Sequence, residues 1–301
     1  MRVIVTGASG FIGRQAVAAL HALGHSVIAV GRGSPPSDDC QWIKADLLAP
    51  GGVEAIANSA SADVLLHLAW TTRHGLYWND LVNLEWLSAT VELVTALAKR
   101  GTRRVCVAGT CFEYDWPEDR DCDEVHTNTA THTLYDAAKS SCNRVLAQIT
   151  RQMGVSFSWA RLFYLYGPAE HPERLVASVC RAVLAGEKAR CSSGWAMRDF
   201  MDVRDAGAAL ARLAVSHIEG PVNIASGEAV LIRDVVLAIG KLAERPDLIA
   251  LGEIPDRPGD PPRISACIAR LRQEVRCEPA HSLEQGLRNA LSYWQERRAS
   301  Q

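Results

Sequence analysis

The sequence predicts an α/β fold built on a doubly wound parallel sheet. Three observations lead there. Short β-branched runs alternate with amphipathic stretches of helical period through roughly the first half of the chain. Glycines cluster at Gly7, Gly10 and Gly13, between the first apolar run and the first amphipathic stretch. Each strand is followed by a stretch long enough to be a crossover helix, which returns the chain to the same edge and makes neighbouring strands parallel.

The elements follow in order. RVIVT (residues 2–6) reads as a strand, and FIGRQAVAALHALGH after it has apolar residues at helical spacing up to Gly24. SVIAV (26–30) is a second strand. The glycines between strand and helix let the backbone turn tightly and approach a ligand, and the helix N-terminus offers free N–H groups to phosphate. ADVLLHLAW (62–70) reads as a buried strand, and residues 84–101 as an amphipathic helix ending in Lys99, Arg100 and Gly101. RRVCVAGT (103–110) is a strand, a helix over 135–152 follows, and one more strand opens residues 155–168. Ligands of such sheets sit at the carboxyl ends of the strands, here Thr6–Gly7, Leu68–Ala69 and Thr110. The reading places a dinucleotide domain of the Rossmann type at residues 1–165 and a smaller substrate-binding lobe mainly at 166–301, with about 196–225 returning to the first. Residues 33–39 and 253–263 read as loops.

Bulk properties narrow the function. The 301 residues are 48% hydrophobic, enough for a large core, and the net charge is -2 with no lysine/arginine block. A nucleic-acid partner is therefore not expected. No apolar run reaches membrane-spanning length, and the N-terminus reads as a strand and not as a signal stretch, so a cytoplasmic protein is expected. The 9 cysteines and 9 histidines form no C-x-x-C, H-E-x-x-H or zinc-type spacing, so no metal is expected and the thiols read as reduced.

TLYDAAKSS (133–141) sets Tyr135 four residues before Lys139, on one face of a helix. Alone, the pair reads more readily as a chance pairing on an exposed helical turn than as a proton donor beside its tuning charge. Its company is informative. TGASGFIG, KADL, HLAW, Asn83, Thr110 with Tyr135 and Lys139, RDFMDVRDAGAA, NIASGEAVLIRDVV and RPGDPPR follow one another in order. Over nearly its whole length the chain thereby resembles the extended short-chain dehydrogenase/reductase superfamily, in its nucleotide-sugar epimerase/dehydratase/reductase branch. The resemblance implies a cofactor loop at Gly7, Gly10, Phe11, Ile12 and Gly13, adenine contacts at Asp46 and Leu47, and a cofactor-lining stretch at Leu68 and Ala69. It implies that Tyr135 is the general acid/base, that Lys139 bonds the nicotinamide ribose, and that Thr110 orients the substrate oxygen. A nearby ammonium is expected to lower the phenol's pKa.

The reaction is narrowed by departures from the family pattern. Dehydratases of the branch carry an Asp-Glu pair after the threonine, and here Cys111 and Phe112 stand there. Glu113, one residue later, is expected to point elsewhere. The second strand ends in Gly31-Arg32-Gly33, with no acidic residue for the adenosine ribose, and Arg32, assisted by Arg14, suits a 2′-phosphate. The expected cofactor is NADP, with NAD as the alternative. AGTCFEYDW looks like the sugar 4-ketoreductases of deoxysugar pathways. The expected activity is a 4-keto-(deoxy)sugar reductase acting on a nucleotide-sugar, with an NDP-sugar 4-epimerase and a non-catalytic NADP-sensing protein as alternatives. Cys111, Tyr164, Arg198 and Arg257 are the expected substrate contacts, with Arg190 a weaker candidate. A homodimer is expected through the helices near 84–100 and 135–152.

Overall fold

The computed structural model describes residues 1–59, 61–71, 73 and 75–300. Strands β1 (Arg2–Thr6), β2 (Ser26–Gly31), β3 (Gln41–Lys44), β4 (Val64–His67), β5 (Arg104–Thr110), β6 (Ser156–Leu162) and, later in the chain, β10 (Gly220–Ile224) form a parallel sheet. Its order is β10-β6-β5-β4-β1-β2-β3. This is the doubly wound arrangement, with the order reversing at β1. Register aligns the strand ends: Thr6 lies opposite both Val30 and His67, and Thr110 opposite Leu162.

Side chains alternate across the sheet, as the pleat requires. Val3, Val5, Val27, Ala29, Val64 and Leu66 face one cluster, shared with helices α1 (Gly13–Ala22) and α6 (Val203–Ala214). Ile4, Ile28, Val30, Leu65, Val105 and Val107 face the other. That side is covered by α2 (Gly52–Ser59), α3 (Val82–Lys99) and α4 (Leu134–Gln152). Helix α4 starts where Thr133 and Asp136 form a reciprocal capping box.

The smaller lobe has its own cluster, around Tyr166, Val176, Cys180, Val236, Leu287 and Trp294. Strands β7 (Tyr164–Tyr166), β8 (Ala189–Arg190), β9 (Met197–Asp202), β11 (Ala229–Leu231), β12 (Ile249–Ala250) and β13 (Arg263–Ile264) form two small sheets there. Helices α5 (Leu175–Ala185), α7 (Ile232–Leu242) and α9 (Leu283–Ala299) pack on them, and α8 (Ala269–Gln273) lies by β10. The 196–225 stretch divides. β9 pairs with β7, β11 and β13, outside the main sheet, whereas α6 lies against α1 and β10 forms the main sheet's edge. Among the described residues, no helix is long and apolar enough to cross a membrane.

Glu170, just before α5, is only 5% exposed, and burial raises its carboxyl pKa from 4.5 to about 8 despite the nearby charge of Arg174. Between those two values the folded chain holds a proton that the unfolded chain releases. Stability therefore falls as pH rises through this window and levels off above it. The slope is at most about 1.4 kcal/mol per pH unit. Glu170→Gln is expected to flatten it, as measured by urea denaturation at pH 5, 6.5 and 8.

Candidate functional site

The site assembles at the carboxyl edge of the main sheet. Gly7 has φ +68°, and a Cβ there would lie 3.0 Å from the backbone nitrogen of Ala69 at the end of β4. A Cβ on Gly13 would lie 2.1 Å from the Gly7 carbonyl oxygen. The loop between β1 and α1 is thus closed to side chains on its inner side. Ile12, the residue before α1, gives no side-chain cap, and no acidic residue sits in the first turn. The Arg14 and Gln15 N–H groups are taken by the Gly10 and Ile12 carbonyls, so what α1 offers an anion is the positive end of its dipole. Leu68 donates its N–H to the Thr6 carbonyl at 3.3 Å, which keeps β4 and β1 together where the loop departs. On the far side of the loop, Arg32 and Asp46 stand 3.7 Å apart, the arginine side chain 73% exposed. Asp46 also accepts the Leu48 N–H, which fixes the turn holding Leu47. These groups fit a dinucleotide: a tight glycine turn and helix N-terminus for the pyrophosphate, and an exposed guanidinium by the adenosine end.

Thr110 ends β5, and Tyr135 and Lys139 sit on the facing side of α4. The Thr110 side chain lies near enough to the Tyr135 phenol to act on its pKa. Lys139 is buried; its ammonium donates to the Ala108 carbonyl at 2.8 Å and lies 3.8 Å from the centroid of the Trp70 ring. Burial lowers its pKa to about 8. The expected lowering of the Tyr135 pKa does not appear in the chain by itself. Burial raises it, and the Tyr77 phenol adds to the rise, whereas the Thr110 side chain opposes it. Desolvation outweighs the ammonium, which stands 6.0 Å from the phenol ring.

Aromatic side chains wall the place where Tyr135 opens. Tyr77 and Trp78 meet its ring edge-on, with centroids 5.0 Å and 5.9 Å away. Trp78 also meets Phe112 at 4.7 Å, and Phe112 touches Trp116 and Tyr164. Asn83 holds this wall in place. Its amide donates to the carbonyls of Tyr77 and Asp80 and accepts from the Trp70 indole at 2.9 Å. Sequence reasoning had noticed Asn83 but missed Tyr77, Trp78 and the role of Trp70. The one signal was an aromatic doublet, Tyr77-Trp78, between Gly75 and Asp80.

The expected substrate contacts divide. Cys111 is 1% exposed and belongs to the core, so its thiol does not line the cleft. Tyr164 and Arg198 are brought together: the Arg198 Nε donates to the Tyr164 hydroxyl at 3.1 Å. Arg198 also bonds Asp260 at 2.6 Å and the carbonyls of Met197 and Pro261, so most of its donors are already used. Arg190 is exposed and pairs with Glu253 at 3.2 Å. Arg257 is exposed on its loop, and its charge and that of Arg174 both act on the Tyr77 phenol. Arg174 escaped the sequence reading.

Glu113 does point away from the cleft. Its carboxylate accepts from the Thr110 N–H and the Trp159 indole, both at 2.8 Å, and from Arg161 at 3.2 Å. All four groups are buried. Glu113→Ala would leave the Arg161 charge uncompensated, so a loss of about 3–5 kcal/mol is expected in urea denaturation.

A glycine turn opening a helix on a doubly wound sheet, with a Tyr-x-x-x-Lys pair facing the end of β5, defines a Rossmann-type oxidoreductase. The chain belongs to the NAD dependent epimerase/dehydratase family, whose model matches residues 3–225. It is 27% identical over 247 residues to dTDP-6-deoxy-L-talose 4-dehydrogenase (NAD(+)) of Aggregatibacter actinomycetemcomitans, covering 78% of this chain and 88% of that protein. It is 27% identical over 311 residues to UDP-glucuronic acid decarboxylase 1 of Danio rerio, covering 97% of this chain and 72% of that protein. Among solved structures, UDP-glucose 4-epimerase of Thermus thermophilus in complex with NAD superposes with TM-score 0.89 at 24% identity, over 98% of this chain and 99% of that one. MoeE5 in complex with UDP-glucuronic acid and NAD superposes with TM-score 0.84 at 27% identity, over 99% of this chain and 100% of that one.

Proposed function

We propose that this protein reduces the 4-keto group of a deoxysugar carried on a nucleoside diphosphate. The observation that carries the reading is the Thr110–Tyr135–Lys139 set, followed by Cys111 and Phe112 and enclosed by an aromatic wall. A nicotinamide dinucleotide held by the loop from Gly7 to Gly13 and by Lys139 would supply the hydride for carbon 4. Tyr135 is protonated at rest, so it has a proton to give to the carbonyl oxygen as the carbon–oxygen double bond becomes an alcohol. Thr110 holds that oxygen, and Lys139 supplies the positive charge that favours the resulting phenolate.

Two further features support the reading. The Asp-Glu pair of the 4,6-dehydratases is replaced by a core thiol and an aromatic ring, which offer neither acid nor base at carbon 6. Phe112 and Trp78 suit a methyl group there, because a hydroxyl against them would lose its hydrogen bonds with water. The similarity to a 6-deoxy-talose 4-dehydrogenase is in keeping with this. For the diphosphate we favour Arg257 and Arg174, since Arg198 is largely committed within the protein. Pairing of two chains through α3 and α4, where Leu84 and Val145 are exposed, belongs to the same reading. The same three residues also serve a 4-epimerase, which would retain NAD and recycle it.

Tyr135→Phe is expected to lower kcat for 4-keto-sugar reduction by about 10²–10⁴-fold and to leave dinucleotide affinity within about 2-fold. Steady-state kinetics with fluorescence titration checks both. NAD released on denaturing the purified protein, with no turnover of NADPH or NADH on 4-keto sugars, would favour the epimerase instead.

We also infer that the adenosine end accepts a 2′-phosphate, from the absence of a carboxylate at residues 31–33 and the exposed Arg32 guanidinium. Arg32→Ala is expected to weaken NADPH by about 10-fold and leave NADH nearly unchanged, since one charged contact is removed. Equal weakening of both dinucleotides would show that Arg32 does not read the phosphate.

A further inference from the structure

The molecule has a second cleft, of about 830 Å³, lined by residues of α1, α5 and α9 and of the turn before α5. We propose that it binds a multiply charged, phosphate-bearing small molecule. The inference does not depend on the reductase reading.

Three observations support it. First, four arginines line the cleft: Arg14 from α1, Arg181 from α5, and Arg297 and Arg298 from α9. Two carboxyl groups, Glu170 and Glu187, line it too, so the balance is cationic. Holding four like charges around one cleft is unfavourable unless an anion answers them. Second, the guanidinium groups retain donors. Arg14 gives two hydrogen bonds to the carbonyls of Ser9 and Gly10, and Arg181 gives one to Pro172. Arg297 gives one to the Tyr293 hydroxyl. A guanidinium carries five N–H donors in a planar fork that matches phosphate oxygens.

Third, two buried polar atoms on the cleft wall lack a partner among the described residues. Glu170 and Trp294 are 5% and 9% exposed, yet the Glu170 Oε2 and the Trp294 Nε1 make no hydrogen bond among the described residues. Such groups are rare in folded proteins and call for a partner. An indole N–H is a donor only. A carboxyl held neutral by burial is a donor as well; both atoms are covered, so an anion's oxygens would meet them by displacing the side chains above. The Arg181 guanidinium lies 5.6 Å from the Trp294 ring, which keeps charge and donor side by side. The volume is that of a small-molecule site and exceeds the needs of a single phosphate. The class that fits is a phosphorylated organic anion carrying more than two negative charges.

The test is isothermal titration of the full-length protein, saturated with dinucleotide, using inorganic pyrophosphate as the probe. Saturable binding is expected. It should weaken at least about 10-fold in the Arg181→Ala, Arg298→Ala double variant. Trp294→Phe, which keeps a buried ring and removes only the donor, should weaken it by about 5–10-fold, the worth of one hydrogen bond to a charged group. Dinucleotide affinity should be unchanged in both, which also reports that they fold. Arg257→Ala should leave pyrophosphate binding intact. No saturable binding to the wild-type protein would overturn the proposal. So would equal binding by the double variant, or loss of binding in Arg257→Ala alone, which would assign the probe to the cleft beside Tyr135.

Discussion

The carboxylate of Glu113 holds the end of β5, and the candidate site depends on where that strand ends. A buried carboxylate is tolerated only when its charge and lone pairs are answered. Here Arg161 supplies the charge, and the Trp159 indole and the Thr110 N–H supply donors. Trp159 and Arg161 belong to β6, so one side chain joins two adjacent strands at their carboxyl ends. The Arg161 guanidinium also lies 4.4 Å from the Tyr114 ring, and the Tyr114 hydroxyl reaches Asn223 in β10 at 2.8 Å. Thr110 is therefore located by a chain of contacts that crosses β5, β6 and β10. Helix α4, which carries Tyr135, packs against that edge.

The same economy appears on the other side of the cleft. Asn83 sits in the first turn of α3, and three hydrogen bonds from its side chain reach Trp70, Tyr77 and Asp80. One buried amide thus orients the indole beside Lys139 and the aromatic pair beside Tyr135. The Tyr135 N–H closes the circuit by donating to the Trp78 carbonyl at 2.9 Å. The wall and the triad are one hydrogen-bonded unit, so a change at Asn83 bears on Lys139 through Trp70.

How much of this was legible in the sequence follows from how local each signal is. β1, β2 and β5 are apolar runs buried on both faces, and they stand where the runs were read. β3, Gln41–Lys44, was not foreseen: it is an edge strand of four residues with polar ends, and its pairing with β2 decides its shape. The strand read over 62–70 contracts to Val64–His67 because the chain leaves the sheet at Leu68 to meet Gly7. Arg198 is one of the substrate contacts that the sequence leads one to expect. A sequence cannot show that Asp260, Tyr164 and two carbonyls, distant along the chain, already surround that guanidinium. Glu113 was expected to point elsewhere, and it does, but its purpose was invisible. A short 3₁₀ turn over Cys111–Glu113 swings it back beneath β5, where its partners come from β6.

The protonation states of the triad bear on the direction of the chemistry. Tyr135 is raised by burial while Lys139 is lowered to about 8 by the same cause, so near neutral pH the pair is phenol and ammonium. That is the pair needed to give a proton to a carbonyl oxygen. Oxidation of an alcohol by the same site would need the phenolate first, and burial among Tyr77, Trp78 and Phe112 works against forming it. The Trp70 ring face beside the ammonium favours its charged form, through the attraction of a cation to the ring's electron density. Desolvation lowers the Lys139 pKa to about 8, and the nearby Cys142 and Glu113 oppose it. By excluding water, the aromatic wall keeps the proton on Tyr135, the state that the proposed reduction calls for.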